Sequence, residues 1–382
     1  MLLNLPIEMP RAHRIAVSTF FFIAGFCFAS WASRIPDIKT FLQLSDGGLG
    51  AVLFALPVGL MVSMPLSGFF VSKFGSRKVL ICAAVVYPVI LVLLGFAVTP
   101  WQLAAILFLF GFCGNIMNIS VNTQAVGVEA LYGRSIMASF HGVWSLAGFS
   151  GAAVGALMVA LRLAPQLHFA IIWVSCLFLA AITYKYILPQ NTGKQSSRLF
   201  VKPDAAILKL GLIAFGCLVC EGTMFDWSGV YFQKVVKVPE SQTPLGYVAF
   251  MSSMATGRFV ADWLVTKFSV KPILQFSGLI IATGLLTSVI FPYAATAIIG
   301  FLLVGFGVSS VVPLVYGLAG KSNTMLPEMA LAAVSTIGFL GFLVGPPLIG
   351  FLAEAAGLRW AFTVIACIGL GTTLLATKVK IG

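Results

Sequence analysis

Apolar residues run through this chain in blocks of about 20, separated by short polar turns. A block of that length, wound at about 1.5 Å per residue, matches the thickness of a bilayer's hydrocarbon core. The pattern predicts twelve spanning helices, near 14–35, 47–71, 79–98, 102–126, 135–160, 167–188, 208–232, 244–266, 272–292, 295–318, 328–353 and 359–377. The longest polar interruption runs from Gln190 to Ala206 and holds Lys194, Arg198, Lys202 and Asp204. It divides the chain into an N-terminal six-helix bundle (1–189), a linker (190–207) and a C-terminal six-helix bundle (208–382).

A repeat supports that division. Leu49-Gly50-x-Val52-x-Phe54 returns 196 residues later as Leu245-Gly246-x-Val248-x-Phe250. Val71-Ser72-Lys73-Phe74 returns after 194 as Val265-Thr266-Lys267-Phe268, and Gly111-Phe112 as Gly305-Phe306 at the same interval. Trp31 and Trp227 stand 196 apart. Two like halves in the same order are the architecture of carriers that rock about a site at the bilayer midplane.

Composition sharpens the class. Hydrophobic residues make up 60% of the chain and charged residues 9%, against roughly 25% charged in a soluble domain, so most of the surface must face lipid. The net charge of +12 raises nucleic acid as a partner, but the basic residues sit singly in short loops and form no face, which argues against it. They read as topology signals instead. Arg34, Lys39, Arg162, Lys234, Lys237 and Arg359 fall in one set of loops and Arg258 inside a span, leaving sixteen of the 23 in the other set. That bias predicts both termini in the cytoplasm. All seven cysteines lie in apolar stretches, so neither a disulfide framework nor a metal site is expected, and Cys217-x-x-Cys220 has no companion ligands. The run after Pro10 lacks a cleavage pattern and is expected to remain as the first span.

Several strings resemble a known family. Gly68-x-x-x-Ser72-Lys73-x-Gly75-Ser76-Arg77-Lys78 resembles the loop signature of the major facilitator superfamily, with Ser72 where an aspartate is usual and Ser76 where a basic residue is usual. Ser30-Trp31-Ala32-Ser33-Arg34-Ile35-Pro36-Asp37, Asn118-x-x-x-Asn122-x-Gln124, His141-Gly142-x-Trp144-Ser145, Glu221-Gly222-x-Met224-x-Asp226-Trp227-Ser228, Gly257-Arg258-Phe259 and Gly345-Pro346-Pro347 are similar to YbjJ-type inner-membrane transporters, a branch distantly similar to fucose permeases. The resemblance implies the major facilitator fold, an all-α membrane protein of twelve helices in two pseudo-symmetric bundles. It also implies alternating access and a bacterial inner membrane. In the YbjJ-like pattern an aspartate often stands where this chain has Asn115.

Candidate chemistry lies inside the spans. Glu221 stands 221 − 208 = 13 residues into the seventh span, roughly 20 Å along it, near the midplane. A carboxylate there is costly and marks a proton or substrate site. Asn115, Asn118 and Asn122 share one helical face of the fourth span, and amides suit hydroxyl-rich or zwitterionic solutes. His141 and Trp144, in the fifth span, supply a relay or hydrogen-bonding imidazole and a stacking indole. Trp227 joins the substrate-binding group beside Asp226. Arg34 with Asp226 forms a candidate outer gate, and Arg258 with Asp262, and Glu129 with Arg77 or Lys78, form candidate inner gates.

The structural alternatives are packing amides, a packed histidine and locally paired charges. No nucleotide loop, metal cluster or nucleophile constellation is present in the sequence, so neither a cofactor nor an enzymatic activity is expected. The reading is a proton-coupled carrier of a small polar, sugar-like solute, monomeric, with the solute, protons and membrane lipids as partners. Efflux of amphipathic compounds is the alternative, and a non-transporting receptor or scaffold a second. The basic-residue bias makes a direct prediction. A green fluorescent protein fused after Gly382 fluoresces, and alkaline phosphatase fused there is inactive; the reverse pattern would overturn the orientation.

Overall fold

In the computed structural model, residues 8–133, 136–189, 204–322 and 325–379 are described. The side chains of Glu8, Asp262, Pro327 and Glu328 and most of the expected linker lie outside them. The described residues form helices and no strand: α1 (Glu8–Ala32), α2 (Ile35–Phe41), α3 (Asp46–Leu53), α4 (Ala55–Phe74), α5 (Ser76–Leu94), α6 (Pro100–Tyr132), α7 (Met137–Ala160), α8 (Pro165–Thr183), α9 (Ala205–Tyr231), α10 (Leu245–Phe268), α11 (Val270–Ile290), α12 (Ala294–Ser309), α13 (Val311–Ala319), α14 (Pro327–Ala356) and α15 (Leu358–Thr377). Joining α3 to α4 and α12 to α13 across their short breaks, and setting aside the short α2, gives twelve long rods at the predicted positions. Eleven are long and apolar enough to cross a membrane. The remaining rod, α10, carries Arg258, Asp262 and Lys267.

Local chemistry sets the ends. Thr99 accepts from the Gln102 amide ahead of Pro100, and Asp204 accepts from the amides of Ala206 and Ile207, so α6 and α9 begin with capped donors. Gly133 closes α6 in the left-handed conformation, at φ 62°. Trp101, Tyr293 and Trp360 sit exposed in the first turns of α6, α12 and α15, where amphipathic rings suit the membrane interface.

The chain separates into two compact units. The first contains Met1–Arg34 and Ala55–Ser196, hence α1 and α4 to α8; the second contains Ile35–Phe54 and Ser197–Gly382. The sequence puts 35–54 with the N-terminal bundle, whereas α2 and α3 pack with the C-terminal helices.

Each unit is closed by glycine contacts, and the repeat reappears in them. In the first, a Cβ on Gly111 of α6 would collide with the carbonyl oxygen of Leu56 on α4. In the second, a Cβ on Gly305 of α12 would collide with that of Phe250 on α10. Both members of the pair are displaced by 194 residues (305 − 111 and 250 − 56), so the same backbone approach is built twice. Lys73 lies over the rings of Phe69 and Phe74, and Lys267 over Trp263 and Phe268, again 194 apart. The motifs before these contacts repeat at 196. The first half therefore holds two extra residues, and the rod that carries them breaks at Phe54 between α3 and α4, where its repeat mate α10 is continuous.

Membrane helices gain little from apolar burial against each other, so close backbone approach carries much of their association. Gly111→Val is expected to lower the melting temperature of the detergent-solubilised protein by about 5 °C or more, the scale of an overpacked contact. Gly371→Val is the control, because a Cβ there meets open space. Equal melting temperatures for the two variants would refute the assignment.

Candidate functional site

In the first unit the expected amide stripe divides. Asn115 is buried and donates to Ser67 Oγ at 3.2 Å, tying α6 to α4. Asn118 is exposed, and Asn122 donates to its Oδ1 at 2.9 Å and its carbonyl at 2.8 Å. Asn115 thus acts as interhelical glue, while Asn118 and Asn122 form a linked pair. His141 is also exposed, with its ring edge-on to Phe21 at 5.5 Å. Trp144 is half-buried near Phe28. Ser145, one turn after His141, is buried and donates to the His141 carbonyl at 3.1 Å.

Three further polar residues of this unit are structural. Arg34 is buried, donating from Nε to His168 Nδ1 at 3.1 Å and from Nη2 to the Leu163 carbonyl at 2.8 Å. Its described bonds therefore join α1 to the start of α8. Glu129 Oε2 accepts from the amides of Ile136 and Met137 at 2.7 and 2.8 Å, capping α7. Arg77 is half-buried and Lys78 exposed. Gln124 donates to Ser76 Oγ at 2.8 Å and accepts from the Leu188 amide at 3.0 Å, linking the start of α5 to the end of the last span of this unit.

In the second unit Glu221 is buried on α9, and its Oε1 lies 3.6 Å from Arg258 Nη2 on α10. The sequence pairs Arg258 with Asp262, one turn away; the side chain of Asp262 lies outside the described residues. A midplane carboxylate and guanidinium in mutual contact offset each other's desolvation. Asp226 is half-buried five residues further along α9. Trp227 is fully buried, so it packs the unit's core and offers no face to a solute; its indole nitrogen finds no partner among the described residues. Trp31, its repeat mate, behaves identically.

Sequence reasoning missed the strongest ionic cluster. Asp46, at the start of α3, is buried and holds Lys39 at 3.0 Å and Lys234 at 2.7 Å. Glu354 Oε2, near the end of α14, accepts from the Gly47 amide at 3.0 Å. Ser45 Oγ accepts from Gly48, so the first turn of α3 is capped twice. Behind it Gly50 meets Gly350: a Cβ on either would lie 2.7–2.8 Å from backbone of the other segment. Gln233 adds a bond to Thr40 at 3.1 Å. A signal was available, since Ser45-Asp46-Gly47 reads as a helix start. What it did not reveal was which side chains would come to it.

These observations define a polytopic α-helical protein with polar groups held at midspan. The family comparison agrees: residues 17–324 match the Major Facilitator Superfamily. The chain belongs to that superfamily of transporters. It is 34% identical to an "Uncharacterized MFS-type transporter" of Yersinia pestis over 368 residues, covering 96% of each chain. It is 31% identical to the transporter y4wD of Sinorhizobium fredii, covering 95% of this chain and 97% of that one. Among solved structures, a bacterial homologue of the human lysosomal transporter Spinster, inward-facing and unoccupied, matches with a TM-score of 0.76 at 14% identity, covering 99% and 100% of the two chains. The nucleoside transporter NupG matches at 0.74 and 12% identity, covering 96% and 98%. At those identities the likeness shows the fold.

The Asp46 cluster makes its own prediction. Asp46→Asn leaves two lysines facing an amide, one of them, Lys39, buried. Lys39 keeps the Leu44 carbonyl at 2.8 Å and Lys234 can turn to solvent, so the loss is on the order of 2 kcal/mol, below the 3–5 typical of a sealed pair. Lys234→Gln should cost less than half as much. Denaturation in detergent measures both, and a reversed order would contradict the assigned burial.

Proposed function

We propose that this transporter is a proton-coupled secondary carrier of a small, polar, uncharged or zwitterionic solute, with sugar-like solutes as the leading class. The observation that supports this is the exposure of Asn118 and His141 on rods that cross the membrane. An amide or imidazole gains nothing from acyl chains, so an exposed one within a spanning helix belongs to a wetted cavity. Asn118 and Asn122 together present amide donors and acceptors without net charge, and Trp144 lies one turn beyond His141 for stacking on a solute's apolar face. Asn115 and Trp227 are withdrawn from the solute-binding group because their side chains are committed to packing.

Coupling is assigned to Glu221. With the carboxylate ionised, the pair with Arg258 is neutral overall. Protonating Glu221 removes its attraction for the Arg258 guanidinium, which favours whichever conformation gives that guanidinium more water or a further acceptor. One acid is thereby sufficient to link proton uptake to a change of state. His141 remains a second proton-carrying candidate. The protein works in this reading as a monomer in a bacterial inner membrane, both termini cytoplasmic. Arg34, Asp226, Glu129, Arg77, Arg258 and Asp262 remain the gating candidates.

Proteoliposomes supply the test, using a panel of radiolabelled hexoses and nucleosides. Glu221→Gln should abolish accumulation driven by an inward proton gradient while keeping solute counterflow. Retention of both gradient-driven uptake and its pH dependence would refute the assignment. Asn118→Ala should raise the half-saturation concentration about 5- to 30-fold, the worth of one or two hydrogen bonds. Gradient-driven expulsion in place of accumulation would favour efflux.

A further inference from the structure

One cavity lies wholly within the first unit and takes no part in the reading above. Its volume is about 770 Å³, and it sits where the N-terminal turns of α1 meet the end of α6, the first turns of α7 and the later turns of α8. Its polar lining is Arg11, Arg14, Ser18 and Thr19, all from α1, with Tyr132 at the rim. Its apolar lining is Ile15, Phe22, Val143 and Leu179.

Arg14 is held in place. Its Nη2 donates to Ser139 Oγ at 3.2 Å, and its guanidinium lies 5.6 Å from the ring centroid of Tyr132. A guanidinium carries five donors, so the bond to Ser139 leaves most of them for a further acceptor. Acids are scarce in this unit: Glu8 and Glu129 are its only two. Glu129 is engaged by the amides at the start of α7, and the side chain of Glu8 lies outside the described residues. Neither Arg11 nor Arg14 joins a described ion pair.

The surroundings distinguish a lipid from a soluble anion. Ile15 is 63% exposed, and beside Leu179 on α8 the side chains of Phe178 and Ile182 are 64% and 52% exposed. The cavity therefore combines cations at one helix end with a bare hydrocarbon wall running towards the membrane interior. A basic pocket between helices at the cytoplasmic face suits a phosphate headgroup, with acyl chains lying against the apolar wall. We propose that this cavity seats one anionic phospholipid of the cytoplasmic leaflet, its phosphate meeting Arg11 and Arg14 and its first methylenes meeting Ile15, Phe22 and Leu179. The choice of leaflet rests on the orientation proposed above; the binding itself does not.

Native mass spectrometry of the purified full-length protein, given phosphatidylglycerol or phosphatidylcholine at equal mole fraction, tests the assignment. The expected result is at least tenfold greater retention of phosphatidylglycerol, falling to the phosphatidylcholine level in Arg11→Gln/Arg14→Gln, since each cation near the surface is worth roughly fivefold. Thr19→Trp, which fills the cavity and keeps both arginines, should reduce retention as well. Lys73→Gln/Lys78→Gln removes the same charge elsewhere and should leave retention unchanged. Unaltered retention in the arginine pair, or an equal loss in the lysine pair, would overturn the proposal. So would displacement of the lipid by inorganic phosphate at millimolar concentration, which would mark a site for a soluble anion. No arm reads transport, so a failed proton assignment for Glu221 leaves this result interpretable.

Discussion

A charge or an unpaired polar group inside hydrocarbon must find a partner or water, and that constraint accounts for the placement of the buried charges and amides described above. Glu221 lies against Arg258, Arg34 against His168 and the Leu163 carbonyl, and Asp46 between two lysines. Asn115 reaches Ser67, and Gln124 reaches Ser76 and the backbone at Leu188. Against those buried groups, Asn118 and His141 stand apart because they are exposed on helices long enough to span the bilayer. The functional reading begins from that contrast.

Packing answers a second demand. Lipid is as apolar as the helix faces, so the helices are drawn together by close contact and little else. Gly111 on Leu56 and Gly305 on Phe250 are the same solution 194 residues apart, and Gly50 on Gly350 applies it to the strap formed by α2 and α3. The paired lysines over aromatic rings complete the correspondence. Ancient duplication is thus visible as conserved backbone clearance as well as repeated letters.

The fold was largely legible in the letters, because blocks of about 20 apolar residues admit few structures in a bilayer. The site was legible only in part. Helical spacing put Asn115, Asn118 and Asn122 on one face, yet α6 runs close enough to α4 for Ser67 to capture the first of them. Trp227 looked available beside Asp226 and is instead sealed in the core of its unit. Arg258 was read with a neighbour four residues on, and the carboxylate of Glu221 on another helix also lies within reach. Asp46 escaped notice because an acid in a short loop looks solvated until its partners, 7 residues before it and 188 after, are brought to it.

The sequence by itself determined what every residue's near neighbours could decide: span length, the duplication and the resemblance to the superfamily. Periodicity and hydropathy are local quantities, and the bilayer turns them directly into rods. Tertiary structure alone decided which polar side chains are spent on holding helices together and which stay exposed. That division depends on approaches of a few ångströms between helices distant in the chain, and no periodicity along one helix records them.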